Sequence, residues 1–260
     1  KILLANDPEY LQTLQAITDP NRRKAWLDGD WDIHVGAFFD GAWDAKRHIV
    51  QPFPIPASWK VWKAMDWGFA APYCVLWLAM DPDGCLYGWG VLYGKGEKDG
   101  EGSREPADVV ARKVRKIEEH DERMGYEYRM NLADPAIFSN TGTNNTIGGI
   151  FRSCGIRWQE AWNGKGSIAN GAQEIMRLLA EDKLKIFSTC KHLLRTLPSI
   201  GPDDTDPEKY DSDGEDHAVD ALRYGCMRRR RRPDEEQKSV DPGESDYTYA
   251  NEQFHLRTPV

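Results

Sequence analysis

The spacing of apolar positions changes along the chain and predicts three regions. Over residues 1–58, short apolar stretches with helical spacing are separated by turn residues, and the region ends in a segment with three prolines, 52–58. Because proline fixes φ and lacks a backbone donor, this segment is expected to be a boundary. The pattern therefore predicts an N-terminal arm over 1–58, a folded domain over 59–228 and a disordered polar tail over 229–260.

The first part of the predicted domain has the pattern of three consecutive strands. Largely apolar runs occupy 59–66, 74–80 and 86–93, and the sequence Asp-Pro-Asp-Gly at 81–84 is a strong turn signal between the last two. Short connections of this kind join antiparallel strands, since parallel strands need a longer crossover. The sequence therefore predicts a three-stranded antiparallel meander.

After residue 103, stretches with helical spacing alternate with short strands. One predicted helix has Pro106 in its first turn. The further helices are predicted at 146–153, 167–182, 191–197 and 215–227, and the strands at 128–133, 156–162 and 184–187. Three antiparallel strands followed by alternating helices and strands predict an α/β fold, in which a mixed sheet carries parallel strands after the meander and helices on both faces.

The distribution of charge qualifies the formal net charge of -8. Residues 202–220 contain nine acidic side chains and one lysine, so the rest of the chain is neutral overall. This acidity indicates a cation site near one loop and does not exclude nucleic acid elsewhere. No apolar run approaches the roughly 18 residues of a membrane span. The five cysteines form no CxxC pair and are expected to be free thiols in a reducing cytoplasm.

Two aspartates stand at the ends of predicted strands. Asp66 follows an apolar strand, and Asp134 follows another and precedes Pro135. A carboxylate in an apolar strand is unfavourable unless it is paired or binds a cation, although turn chemistry also explains an aspartate at a strand end. If the two strands are neighbours, the two carboxylates converge at one edge of the sheet.

The last predicted helix carries a third group of polar side chains. Asp216 and Asp220 are four residues apart and share a helix face, which His217 adjoins. A favourable interaction with the helix dipole explains Asp216, but it explains Asp220 poorly because Asp220 lies beyond the first turn. Converging carboxylates without cysteine make a hard-oxygen site that suits Mg²⁺ or Mn²⁺. Two such ions hydrolyse a phosphodiester without a protein nucleophile.

Several motifs together resemble the nuclease domain of tailed-bacteriophage large terminase subunits. They are Met65-Asp66-Trp67-Gly68, Leu132-Ala133-Asp134-Pro135, the helix motif 216–224, the arm segments 23–32 and 36–39, and the loop 163–168. The resemblance implies a ribonuclease H-like fold and a two-metal endonuclease that cuts concatemeric viral DNA during genome packaging. It implies Asp66, Asp134 and Asp220 as catalytic metal ligands, with Asp216 and His217 as further candidate ligands.

The resemblance also implies partners that act with such a domain. They are double-stranded DNA, an ATPase motor, a small terminase subunit and a portal, in the host cytoplasm and not in the mature virion. The sequence has no GxxxxGK[ST] motif, so no ATPase activity is expected and the chain is predicted to be a fragment or split gene product of a phage or prophage.

Basic side chains outside the acidic cluster are candidate DNA contacts. Lys165 lies in the loop before a predicted helix, and Arg228, Arg229 and Arg230 begin the tail. Each is expected to contact DNA phosphates, and each is also explained as a solvated lysine or as a favourable helix C-terminus. Two alternatives for the whole chain stay open: another ribonuclease H-like nuclease of the resolvase or integrase type, and a non-catalytic packaging module.

Overall fold

One mixed sheet organises the part of the chain that the computed structural model describes, which is residues 36–98, 100–128, 130–140 and 146–227. Its strands are β1 (Ile49–Val50), β2 (Lys60–Asp66), β3 (Tyr73–Met80), β4 (Leu86–Gly94), β5 (Leu132–Ala133), β6 (Gln159–Glu160) and β7 (Leu184–Phe187). The helices are α1 (Ala45–His48), α2 (Ala107–Arg123), α3 (Ile147–Ser153), α4 (Ser167–Ala180), α5 (Lys191–Thr196) and α6 (His217–Met227).

The strand order confirms the predicted mixed sheet. The order is β1-β7-β4-β3-β2-β5-β6, and the meander β2-β3-β4 is antiparallel. The pairs β2–β5, β5–β6, β4–β7 and β1–β7 are parallel. Because β2 and β5 are parallel neighbours, with Met65 opposite Ala133, the residues that follow these two positions lie side by side at one edge of the sheet.

Alternating side chains of β3 point into two separate cores. Leu76 and Leu78 belong to the core that contains residues of α4, α5 and α6, whereas Val75 and Trp77 belong to the core that contains residues of α2 and α3. Successive side chains of a strand point to opposite faces, and a strand covered on both faces is apolar throughout. This explains why β3 is an almost unbroken apolar run and confirms the prediction of helices on both faces of the sheet.

A buried ion pair links β2 to α2. Nζ of Lys63 contacts the carboxylate of Glu118, both side chains are almost completely buried, and the ammonium lies over the rings of Tyr128 and Trp158. Burial lowers the pKa of Lys63 to about 7. The pair stands in the α2 core, on the side of the sheet away from α6.

The structure differs from the sequence expectation in the extent of several elements. The predicted strands 128–133 and 156–162 contribute only two ladder residues each, as β5 and β6. Residues 36–58, predicted as part of the arm, include α1 and β1, and β1 pairs with β7. The domain limits as a whole stay a prediction, because residues 1–35 and 228–260 lie outside the described part. No helix in the described ranges is long and apolar enough to span a membrane.

Candidate active site

Asp66 and Asp134 occupy the same edge of the sheet, as expected for carboxylates at the ends of neighbouring parallel strands. Asp66 is the last residue of β2 and is only 7% exposed. Asp134 directly follows β5, and its amide donates to the carbonyl of Met65 at 2.9 Å. Its carboxylate accepts from the amide of Ala136 at 3.0 Å and so begins a short 3₁₀ turn. Asp134 therefore also has the turn role that its sequence suggests.

Helix α6 brings the remaining acidic residues to this edge. The helix packs closely on the sheet because its inner positions are small: a Cβ at Gly225 would clash with the side chain of Leu78. The indole Nε1 of Trp62 donates to the carbonyl of Gly225 at 3.3 Å and fixes this approach. The N-terminal end of α6 consequently lies against the end of β2, where Asp66 stands.

His217 contacts Asp66 directly. Its Nδ1 lies 2.9 Å from Oδ2 of Asp66 and 3.6 Å from Oδ1 of Asp216. Burial lowers the pKa of His217, but the hydrogen bond to Asp66 and the nearby carboxylates outweigh that effect and raise the pKa overall. The imidazole is therefore held as a partner of Asp66, and its charged form is favoured by the acidic surroundings.

The acidic side chains are held where their charged forms are unfavourable. Burial raises the pKa of Asp66 to about 6, and repulsion from Asp220 and Asp134 adds to this, while His217 opposes it. Burial and repulsion from Asp220 raise the pKa of Asp216 to about 7. Burial also raises the pKa of Asp134, against the hydrogen bond from the backbone of Ala136. Clustered carboxylates with raised pKa values are typical of functional sites.

The donor chemistry of this edge fits a hard divalent cation. Four carboxylates supply oxygen, no cysteine lies among them, and a bound cation would relieve the repulsion that raises the pKa values of Asp66 and Asp216. Within the described residues, however, no three His, Cys, Asp or Glu side chains stand close enough together to hold a metal ion. Cation binding therefore requires the carboxylates to move closer together.

Asp220 is engaged by two residues that the sequence analysis did not single out. The hydroxyl of Tyr210 donates to Oδ1 of Asp220, and the guanidinium of Arg223 donates to both carboxylate oxygens. Arg223 belongs to the helix motif 216–224, but a buried arginine three residues after an aspartate has no signature that separates it from an exposed ion pair. Tyr210 lies in the acidic loop, where periodicity gives no indication of its burial.

The predicted DNA contacts lie partly within the described residues. Lys165 is exposed in the loop before α4, and Trp162 in the same loop is 46% exposed. This loop continues from β6, whose neighbour β5 ends at Asp134, so it stands at the carboxylate edge. Arg228, Arg229 and Arg230 lie outside the described residues.

Comparison with solved structures identifies the fold. The P22 large terminase nuclease domain matches with a TM-score of 0.57 and 21% identity, covering 75% of this chain and 93% of that one. The full-length large terminase of a thermophilic bacteriophage matches with a TM-score of 0.61 and 20% identity over 74% of this chain, which spans only 44% of that protein.

A third solved structure carries a metal at low sequence identity. It is the large terminase nuclease of thermophilic phage G20c with bound magnesium, which matches with a TM-score of 0.51 and 11% identity, covering 74% of this chain and 97% of that one. No family model and no curated protein matches the chain. At these identities the likeness establishes the fold: the chain has the ribonuclease H-like fold of phage large terminase nuclease domains.

Proposed function

We propose that this chain is a divalent-metal-dependent DNA endonuclease of the phage or prophage terminase type, which cuts concatemeric viral DNA during genome packaging. The observation that carries the proposal is the convergence of Asp66, Asp134, Asp216 and Asp220 on one sheet edge, within the fold of terminase nuclease domains. A protein gains nothing in stability by burying carboxylates beside each other, so their arrangement calls for a functional reason.

The proposed roles follow from where each side chain stands. Asp66, Asp134 and Asp220 hold the cations, and Asp216 is a further ligand or an acidic neighbour. Two bound divalent cations, Mg²⁺ or Mn²⁺, would activate the attacking water and stabilise the leaving oxygen of a phosphodiester. His217 orients Asp66 through its hydrogen bond and is itself a candidate ligand. This mechanism uses no nucleophilic serine or cysteine.

Binding of DNA is proposed for the loop that borders the carboxylates. Lys165 is exposed there and is expected to contact a phosphate, and Arg228, Arg229 and Arg230 are proposed to extend the contact along the duplex. The partners proposed on the likeness are an ATPase motor, a small terminase subunit and a portal, with action in the host cytoplasm. A bound cation together with these basic groups would offset the local repulsion between acidic residues and DNA.

A plasmid-nicking assay tests the proposal. The protein is incubated with supercoiled plasmid and Mn²⁺, and wild type is compared with Asp66→Asn and Asp220→Asn. A matched control is Asp108→Asn, because Asp108 is an aspartate on α2 that pairs with Arg112 on the helix surface. We expect cleavage by wild type and the control, and at least about a hundredfold loss in both site variants, as for removal of metal-bound catalytic groups. Undiminished cleavage by both site variants would overturn the proposal.

The alternatives give different outcomes in the same assay. A resolvase-type nuclease would cut branched DNA in preference to linear duplex. A non-catalytic packaging module would cut neither substrate, and the lack of a preassembled three-residue metal group among the described residues favours this reading over the resolvase. A terminase-type nuclease is expected to cut duplex DNA with little sequence preference.

A further inference from the structure

Arg223 is a buried cation that contacts one of the proposed metal ligands. The residue is 0% exposed and lies one turn after Asp220 on α6. Its Nη2 donates to Oδ2 of Asp220 at 2.7 Å, and its Nε lies 3.2 Å from Oδ1 of Asp220 and 2.9 Å from the hydroxyl oxygen of Tyr210. The Tyr210 hydroxyl in turn donates to Oδ1 of Asp220. The three side chains form a closed triangle, and the guanidinium joins two of its corners.

The hydrogen bonds in this triangle distinguish the two oxygens of Asp220. A carboxylate oxygen accepts two hydrogen bonds through its lone pairs. Oδ1 accepts from Tyr210 and from Nε of Arg223, so both of its acceptor positions are filled. Oδ2 accepts only from Nη2 of Arg223 among these contacts and keeps one position open. Asp220 is therefore prepared to give one oxygen, not two, to a cation.

The surroundings are built to hold Arg223 in this place. Gly171 on α4 faces the aliphatic part of Arg223, and a Cβ there would clash with Cγ of the arginine. The guanidinium carbon lies 4.3 Å from the ring centroid of Tyr224, and Nη2 also reaches Oδ1 of Asn163 at 3.5 Å. Nη1 is buried and has no hydrogen-bond partner within the described residues. A purely stabilising role is a poor explanation of this arrangement, because burial of a charged pair gives little net stability.

We propose that Tyr210 and Arg223 are positioning residues that hold Asp220 so that Oδ2 alone faces a divalent cation. This inference rests on the proposed nuclease function, since it concerns the same carboxylate cluster. Partners behind a metal ligand fix its orientation, and their removal lowers metal affinity or activity by roughly 10- to 100-fold. The two residues act through Asp220 and have no proposed contact with DNA.

Tyr210→Phe tests the inference with the smallest change, because it removes only the hydroxyl that contacts Asp220 and Arg223. The matched control is Tyr126→Phe, which removes a hydroxyl that donates to the carbonyl of Ile55 at 2.7 Å. The first readout is the Mn²⁺ concentration that gives half of the maximal thermal stabilisation without DNA. We expect this concentration to rise about tenfold in Tyr210→Phe and to stay at the wild-type value in the control.

The second readout is cleavage of linear duplex, with the split between kcat and KM. Tyr210→Phe is expected to lower kcat at fixed Mn²⁺ with an unchanged KM for DNA, because the variant alters cation holding and not DNA contacts. Arg223→Lys keeps the charge but not the planar fork, and it is expected to shift the Mn²⁺ requirement in the same direction. It gives an independent measurement should Tyr210→Phe fail to fold.

Failure of the inference is distinguishable from failure of the proposed function. If wild type is stabilised by Mn²⁺ and cuts DNA, but both variants keep the wild-type Mn²⁺ dependence, the positioning role is refuted and the nuclease assignment stands. If wild type is neither stabilised by Mn²⁺ nor able to cut, the proposed function is refuted and the inference with it. A loss of stability in metal-free buffer with an unaltered Mn²⁺ requirement would identify the triangle as a structural ion pair only.

Discussion

Replacing Asp66 by asparagine should stabilise the metal-free protein while removing its response to cations. Asparagine has nearly the shape of aspartate and still offers an oxygen to His217, but it carries no charge into the buried cluster. Because the charged form of Asp66 is unfavourable in the folded chain, removal of that charge is expected to raise the free energy of unfolding. A residue kept only for stability would give the opposite result.

The pKa of Asp66 sets the magnitude and the pH window. The pKa rises from 3.8 to about 6 on folding, mainly because the carboxyl is buried. At about 1.4 kcal/mol per unit, this difference corresponds to an upper value of about 3 kcal/mol of destabilisation above the folded-state pKa. As pH rises from 3.8 towards 6 the unfolded chain loses its proton first, so stability falls across that window. Below about pH 4 both states hold the proton and the penalty vanishes.

Thermal unfolding in EDTA measures the effect. At pH 8 the melting temperature of Asp66→Asn is expected to exceed that of wild type, by roughly 2–4 °C for each kcal/mol gained. The difference should shrink towards zero as the pH is lowered to about 4, the range in which both states hold the proton. Millimolar Mn²⁺ should raise the melting temperature of wild type and of Asp108→Asn, but not that of Asp66→Asn. A variant less stable than wild type at pH 8 in EDTA would refute the reasoning and identify the contact with His217 as a stabilising ion pair.

Three further predictions concern packing and DNA contact. Removing one member of the buried pair, by Lys63→Met or Glu118→Leu, should destabilise the protein by about 3–5 kcal/mol, whereas the double variant should be close to wild type; chemical denaturation measures all three, and additive losses would contradict it. Gly225→Ala should destabilise by about 1–3 kcal/mol and reduce cleavage, because its methyl would clash with Leu78 and push α6 off the sheet; unchanged stability would show that the approach is not tight. Lys165→Ala should weaken duplex binding and lower the slope of log affinity against log salt by about one, as fluorescence anisotropy would show, and an unchanged slope would exclude a phosphate contact.

The pattern of the sequence predicted the parts of the fold that depend on local periodicity. β2, β3 and β4 are long apolar runs with clear turns, and the structure confirms them almost to the residue. β1, β5 and β6 have two residues each, too few to show any periodicity, and their pairing depends on partners far along the chain. Such short ladders are fixed by tertiary contact and not by local sequence.

The candidate site divides in the same way. Asp66 and Asp134 were predictable because each ends a strand, and the adjacency of β2 and β5 brings them together as expected. The engagement of Asp220 was not predictable, since Tyr210 comes from a loop and the burial of Arg223 depends on the space that Gly171 leaves on α4. Side-chain hydrogen bonds between separate elements are set by packing, which one sequence does not reveal.

The most direct test of the central claim is a crystal structure of the protein soaked in millimolar Mn²⁺, with anomalous diffraction to locate the metal. The account predicts two anomalous peaks at the carboxylate edge, roughly 3.5–4 Å apart, with Asp66, Asp134 and Asp220 among their ligands and Oδ2 of Asp220 nearest the metal. It would be contradicted by a soaked crystal that shows no anomalous peak at this edge, or by Mn²⁺ bound only elsewhere on the protein.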